Sequence, residues 1–266
     1  MEEKRNNKKN DTADTNKNEI SFLKIDKLKR GSHALSLLLR NEDIIVGFNG
    51  KVFRGSQKVL NQNLNIEENK IITIFRKEIF FNLKVNGPLG IKLVEVANDE
   101  ADDLLIKTDN YFKNIKDLNK YKEFEVYKGK KNFYDVIEVL DTSLLASLLP
   151  FIWFYHHRLY SPLLLLIATF LLLSSIAWWL VLSAWVIITI YMSKGSMSLL
   201  RGYCLFHELK PYMKIYAESN KSVQETVRSI DKKSNYRFPF IDPPMNIEEN
   251  ENDKILEDKD LKTTQV

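Results

Sequence analysis

His156, His157 and Arg158 stand side by side just before about thirty residues, Leu163 to Met192, without a single charged side chain. Two chemistries suit such a trio. Cationic groups at the edge of an apolar run can contact lipid phosphate, and neutral imidazoles can bind a metal. Metal binding needs further ligands at suitable spacing, and the remaining histidines, His33 and His207, provide none. His207-Glu208 reads as a solvated pair. Interfacial anchoring with headgroup contact is therefore the expectation, and no metal or other cofactor is expected. A second chemistry-bearing stretch is Gly87-Pro88-Leu89-Gly90-Ile91. Glycines let the backbone turn so that successive N–H groups converge into a small nest for an anion; the plainer reading is a Gly-Pro turn between two strands.

Catalytic signatures are missing from the sequence. It has no His-Glu-x-x-His and no Gly-x-Ser-x-Gly elbow, and neither a phosphate loop nor a dinucleotide fingerprint. Ser196 follows Gly195, but no partner base is identifiable. The single cysteine, Cys204, excludes an internal disulfide framework. An enzyme is not expected.

Composition sets the frame for these residues. The chain has 266 residues, a formal charge of +4 and a mean hydropathy of -0.27, so its apolar run sits in an otherwise polar sequence. Lysine and asparagine are spread throughout rather than clustered with aromatics, which argues against a nucleic-acid surface. Residues 1–19 are charged and poor in hydrophobes, hence expected to be disordered. Residues 235–266, acidic from Glu248 to Asp260, are expected to be a disordered tail.

Residues 20–98 alternate short apolar segments with turn signals. Ile20 to Leu28 has a strand's period of two, Leu35 to Arg40 reads as a short helix, and Asp43 to Phe48 as a strand ending at the hairpin signal Asn49-Gly50. Ser56 to Leu64 reads as a helix with Val59, Leu60 and Leu64 on one face. Lys70 to Phe75 and Ile79 to Val85 read as a hairpin turning at Lys77-Glu78. The expectation is α+β: a small mixed barrel with two helices.

The order of these elements, with Gly31-Ser32-His33-Ala34, Leu39 to Val46 and Gly47-Phe48-Asn49-Gly50-Lys51-Val52, resembles a PDZ-type peptide-binding domain. Glu42 departs from it, standing where the family has glycine before Asp43. The carboxylate-binding loop also departs, since its apolar-Gly-apolar pattern falls at Leu89-Gly90-Ile91, after the other elements. The resemblance therefore implies a circular permutation. It further implies a groove in which a peptide adds as a strand beside Ile91 to Val96 and against the helix, using Gly87, Leu89, Gly90, Ile91, Lys92, Ser56, Val59 and Leu60. The last residues, Thr264-Gln265-Val266, have the form that such domains accept, which implies self-association through that tail. The helix begins with Ser56 and Gln57, where the class binding such tails has histidine.

Residues 99–121 are charge-rich and read as a partly helical linker. Residues 122–234 read as a membrane module. A strand from Glu123 to Lys128 and a helix from Asn132 to Leu140 come first, with Asp141 or Thr142 capping the next helix. Leu144 to Tyr155 follows, broken at Pro150 and of a length that suits an interfacial or re-entrant piece. Apolar spans are expected within about residues 143–193, as a hairpin turning near Ser174-Ser175. A strand over Lys214 to Glu218 and a helix opened by a Ser222-Val223-Gln224-Glu225 capping box complete it. Strand-helix before the spans and strand-helix after them point to pairing on one face of the bilayer, hence an even number of crossings.

This module resembles an uncharacterised family of small bacterial inner-membrane proteins of unknown function. The resemblance is carried by Phe124-Glu125-Val126-Tyr127, Leu149-Pro150-Phe151-Ile152-Trp153, His157-Arg158-Leu159-Tyr160, Leu200-Arg201-Gly202-Tyr203 and Ile215-Tyr216-Ala217-Glu218-Ser219. It implies an architecture and no activity. Positive charge flanks the spans (Lys128, Lys130, Lys131, Lys194, Arg201, Lys210, Lys214) and is missing from the turn, which carries Trp178 and Trp179. By the positive-inside rule both soluble parts are expected in the cytoplasm. The functional expectation is a membrane-anchored, non-enzymatic adaptor for peptides of other membrane proteins. The alternatives are a structural or assembly subunit and a regulator of a membrane protease.

Overall fold

A computed structural model describes residues 21–66, 70–115, 117–140 and 144–244. The first half forms β1 (Leu23–Lys27), α1 (His33–Ser36), β2 (Ile44–Phe48), β3 (Lys51–Val52), α2 (Gln57–Ile66), β4 (Lys70–Arg76), β5 (Ile79–Val85) and β6 (Lys92–Glu95). Two turns follow directly from local chemistry. Asn49 and Gly50 take φ of 47° and 76°, and Lys77 and Glu78 take 48° and 64°, the left-handed pair that a two-residue hairpin needs to match strand twist. Glu42 is also left-handed, with φ of 73°, which explains why a glycine would suit that position.

The sheet is open and does not close into a separate barrel. The second half supplies β7 (Lys122–Lys128), β8 (Phe133–Glu138), β9 (Lys210–Ala217) and β10 (Asn235–Tyr236). The ten described strands run in the order β10-β8-β7-β9-β5-β4-β2-β1-β6, with β3 on β2, so that this half lies on one side of β5. It joins the first where Asn82 of β5 faces Tyr216 of β9. Arg40 reinforces that seam, with Nη2 donating to the Tyr212 carbonyl at 3.2 Å and the guanidinium 4.4 Å from the Tyr212 ring.

Alternation along the strands divides the side chains between two faces. One face carries a single core that spans both halves, including Ile45, Ile72, Ile74, Leu83, Phe124, Val126, Tyr134 and Ile215, covered by α2 and by α8 (Asn220–Ile230). On the other face Phe22, Val46 and Val96 meet Ala101 and Leu104 of α3 (Asn98–Lys113). The expected linker is thus largely this helix. Its carboxylates and lysines hide a buried stripe that closes over Gly47, where an added Cβ would lie 2.2 Å from the Phe112 ring.

Three further expectations change. Within residues 132–140 the chain forms strand β8, Phe133–Glu138, not a helix. The spacing of Phe133, Val136 and Ile137 mimics a helical stripe, but Tyr134 and Val136 serve one core while Ile137 faces another. Ser219, rather than Ser222, caps α8, its hydroxyl accepting from the Ser222 N–H. Ordered chain also continues past residue 234: Tyr236 is buried, its hydroxyl donates to the Gln224 carbonyl at 2.8 Å, and the Gln224 amide brackets the backbone of Phe238 and Phe240.

The apolar segment forms α4 (Leu144–Leu148), α5 (Pro150–His156), α6 (Tyr160–Ile176) and α7 (Trp178–Phe206). Leu149 breaks α4 from α5, and Pro150 takes the first position of α5, where its missing N–H costs nothing. Pro162 lies in the first turn of α6 and the helices reverse at Ala177, two residues past the expected Ser174-Ser175. Phe151, Phe170 and Trp185 stack with centroids 5.2 to 6.3 Å apart, so α5 lies against both longer helices. Among the described residues one helix, α7, is long and apolar enough to cross a membrane; α6 has 17 residues. From Met192 onward α7 buries every fourth residue, Met192, Ser196, Leu200 and Cys204, in a core with Tyr127, Ile137, Ala146 and Trp153. This seats it on the sheet. Asp141 and Thr142, the expected cap before α4, lie outside the described residues.

Candidate functional site

The residues expected to line a groove divide between the core and the surface. Leu60 of α2, Leu89, Ile91 and Leu93 share one core, while Ser56, Val59, Gly90 and Lys92 are exposed. Gly87 and Gly90 take φ of 88° and 68°, and the Leu89 carbonyl between them accepts from the Ala34 N–H at 3.0 Å. Among the described residues the N–H groups of Gly90 and Ile91 donate to no protein acceptor.

β6 is the sheet's outer strand, and alternate residues direct their backbone groups to β1 or to the free edge. Its pairing with β1 leaves Ile91 and Leu93 facing outward. Gln57 occupies that edge. Its Nε2 donates to the Ile91 carbonyl at 2.8 Å, and its Oε1 accepts from the Leu93 N–H at 3.3 Å. One side-chain amide thus makes both bonds that a residue of an added strand would make. Sequence reading noted Gln57 as a departure but had no local signal for this contact, which spans 34 residues.

His156 and Arg158 are exposed at the junction of α5 and α6, with Arg158 left-handed at φ 53°. His157 packs on the Trp153 ring at 4.6 Å, and the Arg158 guanidinium lies 4.5 Å from the Phe238 ring. No group of metal-ligating side chains occurs among the described residues. Thr264, Gln265 and Val266 lie outside the described residues.

Charge clusters that the sequence did not reveal join α7 to the sheet. Glu125 on β7, nearly buried, accepts from Arg201 Nε and Nη2, both at 2.8 Å, from the Tyr127 hydroxyl at 3.0 Å, and pairs with Lys214 at 3.3 Å. Burial pushes the Glu125 carboxyl up, but these cationic and hydroxyl donors outweigh it and hold it below the usual carboxylate range. Asp135 on β8 shows the opposite balance. Burial raises it although Arg237 lies 3.4 Å away and the Val136 N–H donates to it. Both clusters tie elements together.

Comparison of the chain with protein-family models, with curated proteins and with solved structures found no match.

Proposed function

We propose that this is an integral protein of a bacterial inner membrane, without enzymatic activity, that displays a cytoplasmic peptide-binding edge on a helical hairpin. The observation that carries the membrane reading is the antiparallel ladder between β7 and β9, from Lys122 opposite Ala217 to Lys128 opposite Lys210. These strands bracket the whole apolar segment, so they must lie on one side of any bilayer that the segment enters. The chain then has to enter and return. We take α6 and α7 as the two arms, each offering roughly 25 Å of uncharged helix at 1.5 Å per residue, with Trp178 and Trp179 at the far interface and the His156–Arg158 trio at the lipid phosphates.

The binding edge is β6, with the Gly90 and Ile91 N–H groups placed for a terminal carboxylate as in the PDZ-type domains it resembles. Gln57 acts as a latch that an incoming strand displaces. The test uses a labelled peptide with the sequence of residues 257–266 and the full chain in nanodiscs. Gln57→Ala is expected to tighten binding several-fold, and Gly90→Asp to abolish it while Gly90→Asn, of similar shape but uncharged, retains it. An Asn or Asp Cβ at Gly90 meets only Ser32, at 3.6 Å, and both residues tolerate left-handed backbone. A second reading, a structural subunit that takes no peptide, is favoured by the burial of Leu60, Leu89 and Ile91 in the core. Absence of binding by both wild type and Gln57→Ala would select it.

A further inference from the structure

The largest exposure of any apolar side chain on the described chain is at the end of α7, where Phe206 is 83% and Leu205 57% exposed. Lipid does not account for them. Phe206 lies twelve residues beyond Lys194, the first charge after the apolar run, which is about 18 Å farther along the helix. Beside them opens a cleft of about 550 Å³ whose lining is mostly apolar, from Leu205 and Leu209 and the stems of Lys128, Lys130 and Lys210. A second cleft of about 360 Å³ continues past Gly129 to Phe133 and Arg237. Glu208 is the one carboxylate lining either cleft, held by Lys130 at the surface, and Lys128 pairs with Asp231 at 2.9 Å, so the lining keeps an excess of positive charge. The site calls for an acidic segment with a few adjacent apolar side chains.

The chain contains one. Residues 246–261 carry seven carboxylates against two lysines, with Ile255-Leu256 at the centre of the acidic stretch. Reach is sufficient. Arg237 lines the second cleft and the described chain ends seven residues later, at most about 25 Å away at 3.3 to 3.6 Å per residue. Residues 245–255 can span about 36 to 40 Å. We infer that the acidic segment of this same chain docks on the cleft, with Ile255 and Leu256 against Leu205 and Phe206 and its carboxylates among Lys128, Lys130 and Lys210.

The test is a photo-crosslinking benzoyl-phenylalanine in place of Phe206, whose exposure lets the larger ring be accommodated without repacking, in the full chain reconstituted in bilayers. Cross-links to residues 246–261 of the same chain are expected. Their yield should fall several-fold when Lys130→Glu and Lys210→Glu are combined, and again when ionic strength rises from about 0.01 M to about 1 M, which shortens screening from ~30 Å to ~3 Å. Cross-links only to lipid, only between chains, or to none of these residues would overturn the proposal, as would a yield indifferent to salt and charge reversal.

Discussion

Arg76→Leu is expected to destabilise the fold by about 3–5 kcal/mol, because it strands a buried carboxylate. Asp43 is 1% exposed and Arg76 6%. The Asp43 carboxylate accepts from Arg76 Nε at 2.7 Å and Nη2 at 2.6 Å, and from the Arg40 N–H at 2.7 Å. The same guanidinium reaches the Leu38 carbonyl at 3.2 Å and packs 5.0 Å from the Phe81 ring. It therefore links the turn before β2 to β4. Domains of ordinary size are stable by only about 5–15 kcal/mol in total, so the loss should show as a large fall in melting temperature in detergent and as protease sensitivity. Adding Asp43→Asn removes the stranded charge and should recover part of the loss. Equal stability of wild type and Arg76→Leu would contradict the pair's role.

Arg201→Leu is the second large effect, expected at about 2–3 kcal/mol at neutral pH for loss of hydrogen bonds to a charged group. It also changes the response to acid. In the wild type the folded Glu125 carboxyl titrates below its unfolded value of about 4.3. The folded state then binds fewer protons than the unfolded state in that window, so Glu125 contributes stability above it and loses that contribution as pH falls through the lowered value. Without Arg201, burial is opposed only by Lys214 and Tyr127, the Glu125 value rises, and acid unfolding should begin at higher pH. Arg201→Lys keeps the charge but not the two-pronged geometry and should fall between. Superimposable acid-unfolding curves for wild type and Arg201→Leu would show that Glu125 draws its stability from other groups.

Legibility from sequence followed the range of the interactions. Asn49-Gly50 and Lys77-Glu78 announce their hairpins because two residues suffice to set a turn, and the apolar run announces itself by composition. Pairing across the apolar segment was readable from the strand signals on both sides of it, and β7 and β9 do pair, although the helix expected after β7 is strand β8. Strand β8 was misread because Phe133, Val136 and Ile137 fit a three-residue period as well as the alternation they obey once β7 is beside them. That helix α3 packs on the sheet was hidden because a solvated outer face dominates its composition. The Glu125–Arg201 pair spans 76 residues and the Gln57 contact with β6 spans 34. Neither leaves a trace in local pattern, because what selects them is the sheet order that joins both halves of the chain.

The central claim is that the chain enters the bilayer and returns, leaving β7 and β9 on one side. Single cysteines introduced in a Cys204→Ser background at Lys120, before β7, at Trp179, in the turn, and at Lys221, on α8, would be probed with a membrane-impermeant maleimide on sealed inner-membrane vesicles of known orientation. The account predicts that Lys120→Cys and Lys221→Cys label from the same, cytoplasmic face, while Trp179→Cys does not label from that face. Labelling of Lys120→Cys and Lys221→Cys from opposite faces would contradict it.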